Sequence, residues 1–447
     1  MFSGDTGKGA PDMIEYKKVS SVKITGGGLI MEKYQIITSI EDMGPYVSKL
    51  ILHMPYEVQC AEISEQSFNV YVERRDKQTD EVIVSKSFVT GEESISKGYQ
   101  KPLAVYPCDA LGNRKTVSNL TAVELPEEAL GRRIEGDVLQ NRFINNAYRV
   151  TLLHTLGGQP EKSGLVFDEC IGEICPQLEG WKQEEPQEEG ALKFGYFEPE
   201  EVSGPIPLVV WLHGAGEGGF DPKIAYGSNK TSNISSPAFQ KYFGGKAWVL
   251  VPQCPTVWMD DGVEKLGKSN QSIYVKPVKE CIDNFIRQRD SLVDRSRIYV
   301  GGLSNGGFMT MRMLFDYPDF FAAAIPVCEV FYSQNITDEM LESIKHIPIW
   351  FAHAKPDELV PPRETSLPTY HRLKAAGAEN VHFTYYLYMQ DLTGRYKDAF
   401  GQPVRIFNHA VWVHVFNDEC HTELDGSAVF SGGEPVSIWE WLGTCKK

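Results

Sequence analysis

Residues 297–308 pass from the strand-like Arg297-Ile298-Tyr299-Val300 through Gly302-Leu303-Ser304-Asn305-Gly306 into a stretch able to form a helix. A serine held in such a strained turn has its hydroxyl pushed clear of the backbone, and glycine at 302 and 306 lets strand and helix approach without a clashing Cβ. A plain glycine-rich loop can carry the same pattern. The strand before it and the helix after it are the context that makes Ser304 a candidate nucleophile. The chemistry open to it is acyl transfer, which further needs a base, an acid and backbone donors for an oxyanion.

In this strand-turn-helix arrangement the chain order is nucleophile, acid, histidine, so acid and base are sought downstream of Ser304. The apolar run at 347–353 enters a loop carrying Asp357 and Glu358. Asp357 is the candidate acid and Glu358 its near rival, with a solvated loop carboxylate the bland reading of either. Of the ten histidines, seven follow Ser304. His346 and His353 precede the acid, His371 falls in a helix-like stretch expected to face solvent, and His382 alternates inside a strand-like one. His409, His414 and His421 remain. His409 follows a loop and begins an apolar run, the setting of a base that must meet a serine. His414 and His421 read as ordinary surface or helix histidines.

Upstream, residues 207–212 form a continuous apolar run of strand length, followed at once by the glycine-rich turn His213 to Gly219. Such a run suits a buried parallel strand. The turn is where a backbone N–H would meet the developing oxyanion, the second donor being the amide of Asn305. A phosphate loop is the competing explanation, but no Gly-Lys-Ser/Thr ending follows. Glu217 either orients this turn or is solvated, and Trp412 either walls a substrate pocket or belongs to the core.

Taken together, Leu212 to Glu217, Pro252-Gln253-Cys254-Pro255, Gly302 to Gly307, the Asp357 to Pro361 loop and His409-Ala410-Val411-Trp412 resemble the α/β-hydrolase superfamily. The narrower resemblance is to esterases related to polyhydroxybutyrate depolymerases and feruloyl esterases, in a bacterial branch with an immunoglobulin-like domain before the hydrolase. It implies Ser304 as nucleophile, Asp357 as acid and His409 as base, with amides near Gly214, Ala215 and Asn305 in the oxyanion hole. Gln253, Glu217 and Trp412 are assigned to the substrate pocket, and no metal or organic cofactor is called for. Two positions depart from the pattern, since Asn408 and Glu329 stand where glycine is usual. Both bear on the shape of the acyl pocket.

At 447 residues the chain exceeds what one core normally organises. In its first third, strand-like segments near 48–54, 67–74, 101–107 and 141–153 are separated by polar turns without a helical period, the mark of an all-β sandwich. From about Pro205, apolar strands alternate with amphipathic helices such as 274–289, the mark of a doubly wound, mostly parallel sheet. The expected division is residues 1–160, an immunoglobulin-like β-sandwich, and 161–447, an α/β-hydrolase domain. The boundary is placed at Gly157-Gly158-Gln159-Pro160, and the acidic stretch 175–189 is read as an exposed connection.

The net charge of −16 argues against nucleic acid or anionic membranes as partners, and no apolar run reaches the about 18 residues of a membrane helix. The nine cysteines are an odd number, so at least one is free or pairs between chains, and Cys170 and Cys175 lack the companions of a zinc site. Residues 1–11 have no apolar leader core and read as a lead-in or the remnant of a removed export signal. These features lean toward a reducing, cytoplasmic setting, with secretion as the alternative. Four Asn-x-Ser/Thr matches, at Asn119, Asn229, Asn233 and Asn335, point the other way.

The expected function is a serine carboxylesterase acting on short-chain acyl esters or on feruloyl or acetyl groups of polysaccharides. Its partners would be that substrate and, through the N-terminal domain, further copies of the chain. A prolyl oligopeptidase-type peptidase and an inactive binding protein are the rival readings. About 160 residues are too few for a propeller whose blades take about 40 to 50 each.

Overall fold

The computed structural model describes residues 30–84, 93, 95–136, 140–160 and 162–447, so the lead-in at 1–11 lies outside the described residues. The N-terminal region is all-β. Its strands are β1 (Ile30–Glu41), β2 (Gly44–Gln59), β3 (Phe68–Arg75), β4 (Lys97–Gln100), β5 (Ala104–Pro107), β6 (Val117–Glu124), β7 (Ile134–Gly136), β8 (Asn141–Phe143), β9 (Asn145–Leu152) and β10 (Leu165–Ile174). Burial alternates along β3 and β9, so each strand turns one face inward and one to solvent. Eight strands join in the order β4-β3-β9-β10-β1-β2-β6-β5, while β7 and β8 form a separate hairpin. Leu50, Val70, Val123, Val150 and Phe167, from across that sheet, share one core.

The domain boundary expected at 160 falls inside this region. β10 lies beyond it, yet pairs in parallel with β1 and antiparallel with β9, which carries the N-terminal sheet through Ile174. The Gly157-to-Pro160 turn joins two strands of one sheet, a task for which glycine and proline are equally suited. The acidic stretch 175–189 also differs from expectation. Its β11 (Trp181–Glu184) is the edge strand of the second sheet, pairing with β12 (Phe194–Phe197). It is anchored by Trp181, whose ring stacks on Tyr226 at 4.6 Å and whose indole N–H donates to Ser235 Oγ at 2.9 Å.

The second sheet adds β13 (Ile206–Leu212), β14 (Trp248–Pro252), β15 (Val293–Leu303), β16 (Ala323–Val327), β17 (Ile349–Ala354) and β18 (Val381–Tyr386). Their order is β11-β12-β14-β13-β15-β16-β17-β18, parallel from β14 onward. These strands are apolar throughout because both faces are covered. Along β13, Leu208, Val210 and Leu212 enter one apolar cluster while Val209 and Trp211 enter the other. After β13 the chain steps outward to β14 and returns on the far side as β15. That reversal opens a crevice at the strands' carboxyl ends, between the turns that follow β13 and β15. Among the described residues no helix is long and apolar enough to cross a membrane. All nine cysteines are free thiols.

The two domains meet through polar contacts, largely buried at Lys230 and Asp42 and exposed at Arg395. Lys230 Nζ pairs with Asp42 in the β1–β2 turn and donates to Asn417 Oδ1 at 2.8 Å, while Asn417 Nδ2 donates to Asp42 Oδ1 at 3.1 Å. Arg395 pairs with Glu41 and Glu127, and Tyr396 donates to Glu127 at 2.6 Å. Removing one partner of a buried ion pair leaves the other charge uncompensated. Asp42→Ala should therefore destabilise the protein by about 3 kcal/mol, measured by urea unfolding against wild type.

Candidate active site

β15 is buried from Ile298 to Leu303, and the helix Asn305–Asp316 begins immediately after Ser304. Ser304 itself sits at φ 53° and ψ −115°, a strained backbone conformation for a residue with a side chain. The surrounding packing imposes it. A Cβ on Gly306 would lie 1.9 Å from the Leu212 carbonyl oxygen, and one on Gly302 would lie 2.5 Å from that of Gly306. The amide of Ser304 donates to Val327 O at 2.8 Å, tying the turn to β16.

The structure brings Ser304, His409 and Asp357 together. His409 Nε2 stands 2.8 Å from Ser304 Oγ, and its Nδ1 2.6 Å from Asp357 Oδ2. Asp357 lies in the loop after β17, where its Oδ1 accepts the amides of Leu359 and Val360, each at 2.9 Å. Burial alone would raise its pKa, but hydrogen bonds from His353 and His409 outweigh this and hold it well below the usual carboxylate range. Glu358, the rival acid, instead accepts from Asn408 Nδ2 at 2.8 Å, while Asn408 Oδ1 accepts from the amide of Met389 at 3.0 Å. The residue that replaces the usual glycine thus ties the histidine loop to the acid loop.

The turn after β13 is held from several sides. His213 is fully buried, and its Nε2 accepts from the amide of Cys254 at 3.0 Å, so Nδ1 carries the proton and donates to Gly214 O at 2.7 Å. Burial pulls its pKa down to about 4, which keeps the ring neutral. Glu217 Oε2 accepts from the Gly214 amide at 2.8 Å, and Oε1 accepts from Ser228 Oγ. Burial raises the Glu217 pKa to about 7, with the Ser228 and Gly214 hydrogen bonds opposing it. Gln253 Nε2 donates to Glu217 O at 2.6 Å.

Three sequence expectations change here. The amide of Gly214 is engaged by Glu217, whereas those of Ala215 and Asn305 have no hydrogen bond among the described residues. Glu217 and Gln253 are each 1% exposed, so they shape the turn from behind and do not line a substrate pocket. A short turn closing on itself needs an internal acceptor, and Glu217 is that acceptor. Trp412 is half-buried with its ring 5.7 Å from that of His409. Glu329 is fully buried beneath Gly307, where a Cβ would lie 2.8 Å from its own, and burial pushes its pKa up to about 8. Neither His414 nor its helix is at the surface, since His414 is 1% exposed. Among the described residues no cluster of three or more His, Cys, Asp or Glu is arranged for a metal.

A family model described as the prolyl oligopeptidase family matches residues 257–354, a stretch that holds Ser304 and stops short of Asp357 and His409. Over 146 residues the chain is 30% identical to poly(3-hydroxyalkanoate) depolymerase C of Paucimonas lemoignei, and the match covers 31% of each protein. The chain thus spans about a third of that relative's length. A solved structure of a thermostable esterase superposes on 93% of this chain and 100% of its own, with a TM-score of 0.68 at 22% identity. The chain has the α/β-hydrolase fold.

Within the α/β-hydrolase fold the crevice at the strand reversal is the place where loops bring side chains together, and one histidine set aside on sequence grounds takes part. His353, before the acid in the chain, lies on buried β17 with Nε2 3.0 Å from Val360 O and 3.2 Å from Asp357 Oδ2. Both partners are acceptors, so Nε2 is protonated, while Nδ1 accepts from Ser366 Oγ at 2.7 Å. His353 is a second donor to the carboxylate that His409 uses. Only its spacing four residues before Asp357 hinted at this. The turn from Gly214 to Gly219 also fits the Gly-x-Gly-x-x-Gly spacing of a dinucleotide loop, but the Glu217 carboxylate occupies the Gly214 amide that a phosphate would need.

The depressed pKa of Asp357 has a stability consequence with a definite sign. The folded state prefers the carboxylate, so its contribution is present above the unfolded value of about 3.9 and is lost as pH falls toward the folded value. The difference in unfolding free energy between wild type and Asp357→Asn should therefore shrink on acidification below about pH 4. Denaturant melts across pH 3 to 7 check this.

Proposed function

We propose that this protein is a serine carboxylesterase in which Ser304 is the nucleophile, His409 the general base and Asp357 the acid that orients it. The observation that carries the proposal is the hydrogen-bonded series Asp357, His409, Ser304, at 2.6 and 2.8 Å, beside the unengaged amides of Ala215 and Asn305. Asp357 accepts the Nδ1–H of His409, which leaves Nε2 free to take the serine proton. As Ser304 Oγ attacks the ester carbonyl, the carbonyl oxygen becomes an oxyanion that the Ala215 and Asn305 amides receive. Preorganised donors of this kind act where charge develops and need no rearrangement at the moment of reaction. His409 then passes its proton to the leaving alcohol. Water, deprotonated by the same imidazole, attacks the acyl-enzyme, and the serine is released with the acid.

Similarity to a polyester depolymerase and to an esterase supports esters as the substrate class. Within that class the reading is of short acyl esters or of feruloyl or acetyl groups on polysaccharide, with Trp412 beside the base as one wall of the acyl or alcohol site. The N-terminal domain is read as immunoglobulin-like, and as the route by which copies of the chain would associate. The match to the prolyl oligopeptidase family covers the nucleophile region alone and gives the peptidase reading less support. Activity on p-nitrophenyl esters of increasing chain length, methyl ferulate, acetylated xylan and a prolyl peptide separates these classes. Ser304→Ala should lower turnover of p-nitrophenyl acetate by about 10⁴-fold or more, as expected for a member of a unit that acts together. Full activity in that variant would overturn the assignment.

A further inference from the structure

The hairpin β7–β8 of the N-terminal domain reaches into the other domain. Gln140, immediately before β8, forms an antiparallel bridge with Glu217, and the amide of Asn141 donates to Gly216 O at 2.6 Å. A Cβ on Gly219 would lie 3.2 Å from Gln140 Nε2, so the Gln140 side chain lies against the same turn. The base of the hairpin is fixed at both ends. Ile134 and Phe143 form an apolar cluster with Ile224, and Lys223 Nζ lies 5.0 Å over the Phe143 ring. On the other side Arg74 of β3, 2% exposed, donates to Ile134 O at 3.1 Å and pairs with Glu135 at 2.6 Å.

Each peptide unit is planar, with its C=O and N–H pointing in opposite directions. The Gly214 carbonyl is held by His213, so the Ala215 N–H in the same plane is aimed away from that ring. The next peptide is held within the turn by Gly218, whose amide donates to Ala215 O at 3.2 Å, and the two after it by Asn141 on Gly216 O and by Gln253 on Glu217 O. The bridge at Gln140 and the hydrogen bond from Asn141 bring the N-terminal domain onto this turn.

We propose that the β7–β8 hairpin is a positioning element for the oxyanion hole. It bridges the turn at Gly216 and Glu217, and it thereby fixes the aim of the Ala215 amide one residue before. The kinetic part of this inference rests on the esterase reading, whereas the structural support itself does not. Asn141 and Gln140 touch no reacting atom and act through the turn. An interaction realised in the transition state alone lowers kcat and leaves KM in place when it is weakened.

The test is Asn141→Pro, which deletes the N–H that Gly216 O accepts. Hydrogen exchange over residues 213–219 should quicken in this variant. On p-nitrophenyl acetate kcat should fall about tenfold, less than the about 10²-fold or more lost when a donor is removed outright. KM should stay within about twofold, and inhibition by a phenylboronic acid, which mimics the tetrahedral state, should weaken in step with kcat. Phe143→Ala, which loosens the hairpin base and keeps every backbone donor, carries the same readouts if the proline variant does not fold. Arg142→Ala, on an exposed side chain of the same strand, should match wild type. Unchanged exchange and unchanged kcat in the folded variants would overturn the proposal, as would a raised KM with kcat retained. If wild type shows no Ser304-dependent hydrolysis, the esterase reading fails while hydrogen exchange still decides whether the hairpin supports the turn.

Discussion

The Leu212 carbonyl at the end of β13 and the backbone of Gly306 at the start of the following helix are so close that a Cβ on Gly306 would fall 1.9 Å from the oxygen. That approach forces the chain to turn within one residue between β15 and its helix, and the residue left at the corner is Ser304, with its positive φ. The strain is sustained because both sides are anchored in buried strands, β13 and β15, registered in parallel through Leu212 and Gly302. The hydroxyl is therefore presented by the sheet itself, and its position does not depend on a flexible loop. Asp357 and His409 arrive from the loops after β17 and β18, which the parallel sheet delivers to the same edge.

Around that corner, ionisable groups are buried without full charge compensation, and burial sets their protonation. His213, with its pKa near 4, is a neutral clamp, and Glu217, near 7, is an acceptor for the Gly214 amide. Asp357 is the opposite case. Four donors converge on its two oxygens, from His353, His409, Leu359 and Val360, and they keep it ionised although burial works against the charge. A carboxylate so held gives His409 one tautomer and one orientation. The same burial explains why the Glu217 carboxylate and the His213 ring each find hydrogen-bond partners in the turn and its neighbours, since an unpaired polar group there costs free energy.

The two sheets are joined as one working unit. Lys230, Asp42 and Asn417 form a closed polar set between them, and the β7–β8 hairpin carries the N-terminal domain to the Gly216 carbonyl. The β1–β2 turn and Glu127 of the N-terminal domain also meet Arg395 and Tyr396, in the segment that leads to His409. Both the turn after β13 and the approach to His409 are thus braced from the same neighbouring domain.

Much of the second domain was legible in the chain. The β-branched run into Gly-x-Ser-x-Gly, the apolar strand before a glycine-rich turn and the order of Ser304, Asp357 and His409 are local or ordinal features, and strand period and turn chemistry encode such features directly. The division of the chain was not legible. β10 lies past a glycine- and proline-rich turn that looks like a linker, and its membership in the first sheet depends on a parallel pairing with β1 from the other end of the domain. The functions of Glu217, Gln253, His213 and His353 were hidden for the same reason. A buried carboxylate and a solvated one have the same letter, and the partners that distinguish them come from distant strands, as with Gln253 on Glu217 and Cys254 on His213. By itself the sequence determined which residue types could act and in what order, because spacing and period are properties of a line. Only the tertiary structure decided which amide is left open, which histidine joins the acid and which domain braces the turn, because hydrogen bonds form between groups that folding alone brings within reach.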